Sequence, residues 1–143
     1  IYDTSNAVSC YLPNKRIVAG TNDFGREATL VENISFSDIQ MKEIYGSAIY
    51  VYVGKDSDTM FKGFRNVSFN NIHCTCLELP YFCGREGGEI ENVTFSNCSF
   101  EKHRESDFPL NKKQHGAVLV GKPTEPVTNV HNLLYENTRF IYR

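Results

Sequence analysis

A chain of 143 residues with formal net charge -2, ten Phe, eight Tyr and no Trp is long enough for one domain with a real core and too short for two. Its 15 basic and 17 acidic residues are interspersed, so no basic stripe offers a nucleic-acid footprint. No apolar run is long enough to cross a membrane as a helix.

The chain opens I-Y-D-T-S-N-A. It has neither a basic start nor an apolar signal core, so any targeting segment is expected to have been removed or to lie upstream. The first strong pattern is V-E-N-I-S-F-S-D-I-Q-M, Val31 to Met41. It returns as F-R-N-V-S-F-N-N-I-H-C (Phe64 to Cys74), as I-E-N-V-T-F-S-N-C-S-F (Ile90 to Phe100), and more loosely as V-H-N-L-L-Y-E-N-T-R-F (Val130 to Phe140).

The copies align on Asn33, Asn66, Asn92 and Asn132. One residue on stand Ile34, Val67, Val93 and Leu133; three on stand Phe36, Phe69, Phe95 and Tyr135. That alternation is a strand with one buried face. Parity then switches, because the next apolar positions are six on (Ile39, Ile72, Cys98, Thr138) and eight on (Met41, Cys74, Phe100, Phe140). The chain must bend near Asp38, Asn71, Asn97 and Asn137, residue types that tolerate unusual backbone angles.

A third apolar alternation follows at Ser47 to Gly54, and again at Gly116 to Gly121. Polar or Gly/Pro-rich insertions occupy Lys55 to Gly63, Tyr81 to Gly88 and Lys102 to His115. Three short strands per repeat, variable insertions on a constant core and an Asn at the same corner predict an all-β fold. Its form is a right-handed parallel β-helix of about four to five coils, one domain over 1–143. A β-sandwich would not repeat one aligned phrase with the same corner. Ile34, Val67, Val93 and Leu133 should stack in one interior row, and the corner Asn side chains should bond to backbone or to one another. N-I-S, N-V-S, N-V-T and N-C-S match the glycosylation acceptor pattern, but they fall on these corners, where a structural ladder is the better account.

Five cysteines are an odd number, which argues against a complete disulfide framework and leaves the compartment open. Cys74 and Cys98 stand at repeat positions that are apolar elsewhere and read as small core residues. H-C-T-C at His73 to Cys76, with Cys83 beyond, invites a zinc reading. Structural zinc wants four ligands in paired spacings, and His73 and Cys74 have opposite parity, so no metal is expected. A Cys76–Cys83 loop disulfide stays open as the alternative. No nucleophile elbow, phosphate loop or dinucleotide fingerprint occurs, so no cofactor is expected.

Three passages resemble the polygalacturonase family, the pectin-cleaving β-helix hydrolases of glycoside hydrolase family 28. K-R-I-V-A-G-T-N-D-F-G-R-E-A-T-L-V-E-N-I-S-F-S-D-I-Q-M (Lys15 to Met41) is similar to that family's R-I-K, Gly-rich turn and following coil. F-R-N-V-S-F-N-N-I resembles its next coil. G-A-V-L-V-G-K-P-T-E-P-V-T-N-V-H-N-L-L-Y-E-N-T (Gly116 to Thr138) resembles a segment of its bacterial members.

The resemblance implies inverting hydrolysis of galacturonan, with a polysaccharide as the partner and a secreted or periplasmic location. It also implies that the chain is the C-terminal portion of a longer β-helix. The family's N-T-D, D-D and G-H-G motifs, which carry catalysis, are absent here. No catalytic residue is therefore expected in this chain, and its first coil should be covered by an N-terminal half or by another chain. The resemblance places Arg16 on the family's substrate-binding Arg, although Val18 replaces the Lys two residues on; a solvated Arg at a strand edge is the alternative. Asp23 reads first as a turn residue before Gly25 and second as a substrate contact. Tyr52 lies near the family's substrate-contacting Tyr. The alternative is a β-helix without catalysis, a glycan-binding or structural module of the surface-fibre type, since fold alone does not choose between the two.

Overall fold

The computed structural model describes residues 1–4, 6–10, 29–53, 61–84, 88–104 and 129–143. Every regular element among them is a β-strand: β1 Tyr2–Thr4, β2 Val8–Cys10, β3 Thr29–Ser47, β4 Ile49–Val53, β5 Phe61–Glu78, β6 Tyr81–Gly84, β7 Glu89–Ser96, β8 Ser99–Lys102, β9 Val130–Glu136 and β10 Arg139–Tyr142. All pairings are parallel. A seven-stranded sheet runs β1-β3-β5-β7-β9, with β8 against β5 and β10 against β8; a second sheet runs β2-β4-β6.

The repeated phrase works by stacking on itself. Ile34 pairs with Val67, Val67 with Val93, and Val93 with Leu133. Met41, Cys74, Phe100 and Phe140 form a second row in the same way. The aromatic position makes a column of near-parallel rings, Phe36 to Phe69 at 5.0 Å, Phe69 to Phe95 at 4.9 Å and Phe95 to Tyr135 at 5.2 Å. Offset stacking at this spacing adds to the gain from burial alone.

Parity switches because single residues adopt the left-handed backbone conformation. Asp38, Asn71, Asn97 and Asn137 have φ of 57°, 53°, 54° and 44°, at the bend inferred from the apolar pattern. A second turn of the same kind sits at the heading residues Asn33, Asn66, Asn92 and Asn132, with φ of 52° to 58°. Along β5, Phe64, Val67, Phe69, Ile72 and Cys74 are all buried. Their gaps of three and two residues alternate because each left-handed Asn inserts one residue without losing the inward face. Asn pays less than other non-glycine residues for this conformation.

Side-chain amides link these corners repeat to repeat. Asn66 Nδ2 donates to Asn33 Oδ1 at 3.2 Å, Asn92 to Asn66 at 3.0 Å and Asn132 to Asn92 at 3.0 Å. The four are solvent-exposed, so the ladder is a surface feature. Glu43 is a further left-handed residue, φ 53°, where β3 carries one residue more than β5 between Met41 and Ile44; its N–H donates to Thr75 Oγ1 at 3.1 Å.

The two sheets share one apolar core. Ile49, Val51 and Val53 of β4 and Phe82 of β6 join Phe64, Phe69, Phe95 and Phe100 of the larger sheet, and Phe82 meets Phe95 edge-on at 5.9 Å. Tyr81–Gly84, read from sequence as part of an insertion, is instead a strand in register with Tyr50–Val53. Gly84 is required there: a Cβ would lie 2.4 Å from the Asn129 carbonyl oxygen. The segments Tyr2–Thr4 and Val8–Cys10 were likewise too short to show a period, and they pair with β3 and β4. Gly116 to Gly121 lies outside the described residues.

All five cysteines are free and buried. Cys76 belongs to the shared core, while Cys83 packs in a separate cluster with Tyr50 and Tyr52. Their side chains thus serve different faces, which removes the loop disulfide. Among the described residues, β1 covers β3 only around Lys42 to Ile44. Among the same residues the earlier half of β3 pairs with β5 alone, and Ile34 is 37% exposed.

Candidate functional site

Arg16 and Asp23 lie outside the described residues, so of the three sequence candidates only Tyr52 has a described position. It stands on β4, where alternation sends Ile49, Val51 and Val53 into the shared core and turns Tyr50 and Tyr52 to the other face. Both rings are nonetheless packed, at 5% and 8% exposure. Tyr81 stacks on Tyr50 with ring centroids 5.2 Å apart, and Cys83 pairs with Tyr52. The Tyr81 hydroxyl is buried and has no hydrogen-bond partner among the described residues. Burial first, and the neighbouring Cys83 thiol second, push its pKa above the ordinary phenol value. A ligand at this face would meet only a small part of the Tyr52 ring.

A charged row crosses the larger sheet, with Glu32 beside Arg65, Arg65 beside Glu91 and Glu91 beside His131. Arg65 Nε bonds Glu32 Oε2 at 2.7 Å. Next to it a shallow pocket of ≈ 220 Å³ is lined by Leu30, Gly63, Arg65, Glu89 and Glu91. The guanidinium is already bonded to Glu32 and two more carboxylates, Glu89 and Glu91, line the pocket, so it suits a neutral polar group better than an anion.

A chain of polar side chains runs along the next rows. His73 Nδ1 meets Ser99 Oγ at 2.8 Å, His73 Nε2 meets Asn71 Oδ1 at 3.0 Å, and Asn71 Nδ2 donates to Asp38 Oδ1 at 2.7 Å. The sequence pattern offers His73 only as a candidate metal ligand. The aligned repeats do place His73 and Ser99 at one position of successive coils, and this was the available signal. His73 is exposed and Cys74 buried, as their parity requires. Among the described residues, no group of three or more His, Cys, Asp or Glu is arranged to hold a metal ion.

Glu101 accepts from Arg143 Nε at 2.6 Å and sits 3.0 Å from His103 Nε2. The Arg143 bond, with help from His103, holds its carboxyl below the ordinary value. This cluster ties the last residue described to β8 and has the character of a structural clasp.

No protein-family model, curated protein or solved structure matches this chain.

Proposed function

We propose that the chain is a right-handed parallel β-helix forming the C-terminal portion of a polygalacturonase-like glycoside hydrolase, acting on galacturonan at a secreted or periplasmic site. The observation that supports this reading is the repeated coil phrase, which pairs with itself in parallel register four strands deep, alongside the sequence resemblance at Arg16–Ile17 and at Gly121 to Pro126. In such an enzyme one carboxylic acid protonates the leaving oxygen while a second carboxylate activates water, across a gap of roughly 6.5–9.5 Å. Both groups would come from upstream coils. This chain would add subsites: Arg16 as a bidentate partner for a uronate carboxylate, with Asp23 and Tyr52 as lesser contacts. Val18 in place of Lys removes one cation and favours a less acidic sugar at that subsite.

Register supports an upstream coil as the missing cover. Tyr2 pairs with Lys42, and the Ile1 nitrogen donates to the Gln40 carbonyl at 2.8 Å. A strand leading into Ile1 would therefore lie along the open half of β3.

The second reading, a non-catalytic glycan-binding or structural β-helix, is favoured by the absence of the N-T-D and D-D motifs from the sequence. The two part on one experiment. Reducing-sugar release from polygalacturonate is measured for the chain joined to its upstream coding segment. The hydrolase reading expects turnover with inversion, and a raised KM in Arg16→Ala. Full-length protein that binds the polymer without cleaving it would establish the second reading instead.

A further inference from the structure

We propose that Ser99, His73, Asn71 and Asp38 form a surface relay in which Ser99 is a nucleophile toward small, unhindered carboxylic esters. Each residue is placed by the repeat. Asp38 and Asn71 occupy the same corner of successive coils, while His73 and Ser99 share one outward row in register. The direction of every hydrogen bond then follows from chemistry. The Asp38 carboxylate only accepts, so Asn71 presents its NH2 to Asp38 at 2.7 Å and its Oδ1 to His73 at 3.0 Å. That oxygen only accepts as well, so His73 carries its proton on Nε2. Nδ1 is left as a lone pair, and the Ser99 hydroxyl donates into it at 2.8 Å. A positioned base held in one tautomer by a third group is the arrangement that activates a serine. Here the imidazole uses Nδ1 toward serine, the reverse of the best-known triads.

In the reaction, Ser99 Oγ bonds to the ester carbonyl carbon as its proton passes to His73 Nδ1. The C–O bond to the alcohol then breaks, and the departing oxygen takes that proton. Water repeats the sequence on the acyl-serine, releasing the acid and restoring Ser99. Arg139 is the next residue of the same row, paired with Ser99 from the far side, and offers a cation for the developing oxyanion. His73 and Asn71 are exposed and Ser99 half-buried. The half-buried Ser99 Oγ admits an unhindered carbonyl, and the open face around it has, among the described residues, no walls to hold a long acyl chain, so small esters are the fitting substrates.

The sheet contains its own control. Ser35 and Ser68 pair Oγ to Oγ at 2.7 Å on the same outer surface, and Ser68 is half-buried like Ser99, without an imidazole in that bond. The folded chain is treated with a small fluorophosphonate, in which serine oxygen displaces fluoride from phosphorus, and the adduct is located by peptide mass spectrometry. Ser99 should react at least about ten-fold faster than Ser68, because a general base is worth 10²–10⁴-fold in favourable cases. His73→Gln should abolish that advantage, with the fold checked by circular dichroism. Asn71→Gly, which keeps the left-handed backbone available, should reduce it partially. p-Nitrophenyl acetate should leave an acetyl group on Ser99 and not on Ser68. Equal labelling of the two serines, or an undiminished Ser99 rate in a folded His73→Gln or His73→Asn protein, overturns the proposal.

Discussion

At Asn66 one side chain meets two demands. Its backbone is left-handed, φ 52°, and its amide both donates to Asn33 and accepts from Asn92. Alanine removes the amide and also bears the left-handed penalty, so Asn66→Ala should cost about 1–2 kcal/mol. Glycine removes the amide but adopts the conformation freely, so Asn66→Gly should melt above the alanine variant. The reverse order would mean that the ladder, and not the backbone, sets the cost. A second residue-scale effect is electrostatic. Arg143 and, more weakly, His103 depress the Glu101 carboxyl below its ordinary value. A carboxylate with a lowered folded-state pKa contributes stability above its unfolded value and loses it as pH falls through the folded one. Glu101→Gln should therefore lower the melting temperature at neutral pH and match the parent in acid, once the carboxyl is protonated in the folded state as well. A constant gap across that range would exclude the Arg143 contact as the cause.

Among the elements, the aromatic column concentrates the packing energy. Phe95 is fully buried, stacked between Phe69 and Tyr135 and met edge-on by Phe82 and Phe100. Phe95→Ala should cost about 3–5 kcal/mol. Phe36, half-buried and, among the described residues, stacked on the β5 side alone, should cost less than half as much by urea unfolding; equal costs would contradict the column as described. This column was legible in the sequence because aromatic residues recur three positions after each Asn, and the parity switch at Asp38 and its equivalents was legible from apolar spacing. Tyr81–Gly84 was not. Four residues between Pro80 and a Gly-rich run carry no period of their own, and the β4 edge supplies their conformation. The same distinction applies to the candidate sites. Packing makes inward residues predictable, whereas the contact between His73 and Ser99, 26 residues apart, depends on register between outward polar rows that no hydrophobic pattern marks. Tyr52 was placed correctly on the third strand of its repeat, but its close packing comes from β6, the strand that sequence reading assigned to an insertion.

For the molecule as a whole, the decisive feature among the described residues is the asymmetry between its covered middle and its less covered first repeat. Ile34 and Ile72 both point inward from β3 and β5, yet Ile34 is 37% exposed and Ile72 fully buried. An interior residue of a stacked sheet is packed from the coils on both sides, while one at the edge is packed from one side only. In the 143-residue chain, Ile72→Ala should cost about 2–5 kcal/mol, and Ile34→Ala clearly less, because part of its surface is in water in either case. If an upstream coil covers the first half of β3, as the pairing of Tyr2 with Lys42 suggests, the same Ile34→Ala change should become markedly more costly once that coil is attached. Ile72→Ala should stay as it was, being distant from the new contact. The comparison of the two substitutions in the two chains isolates coverage from general stabilisation. An Ile34→Ala cost that stays low in the longer protein would mean that the upstream segment stacks elsewhere. The open half of β3 would then be a true surface, and the assignment of this chain as the continuation of a longer β-helix would fail with it.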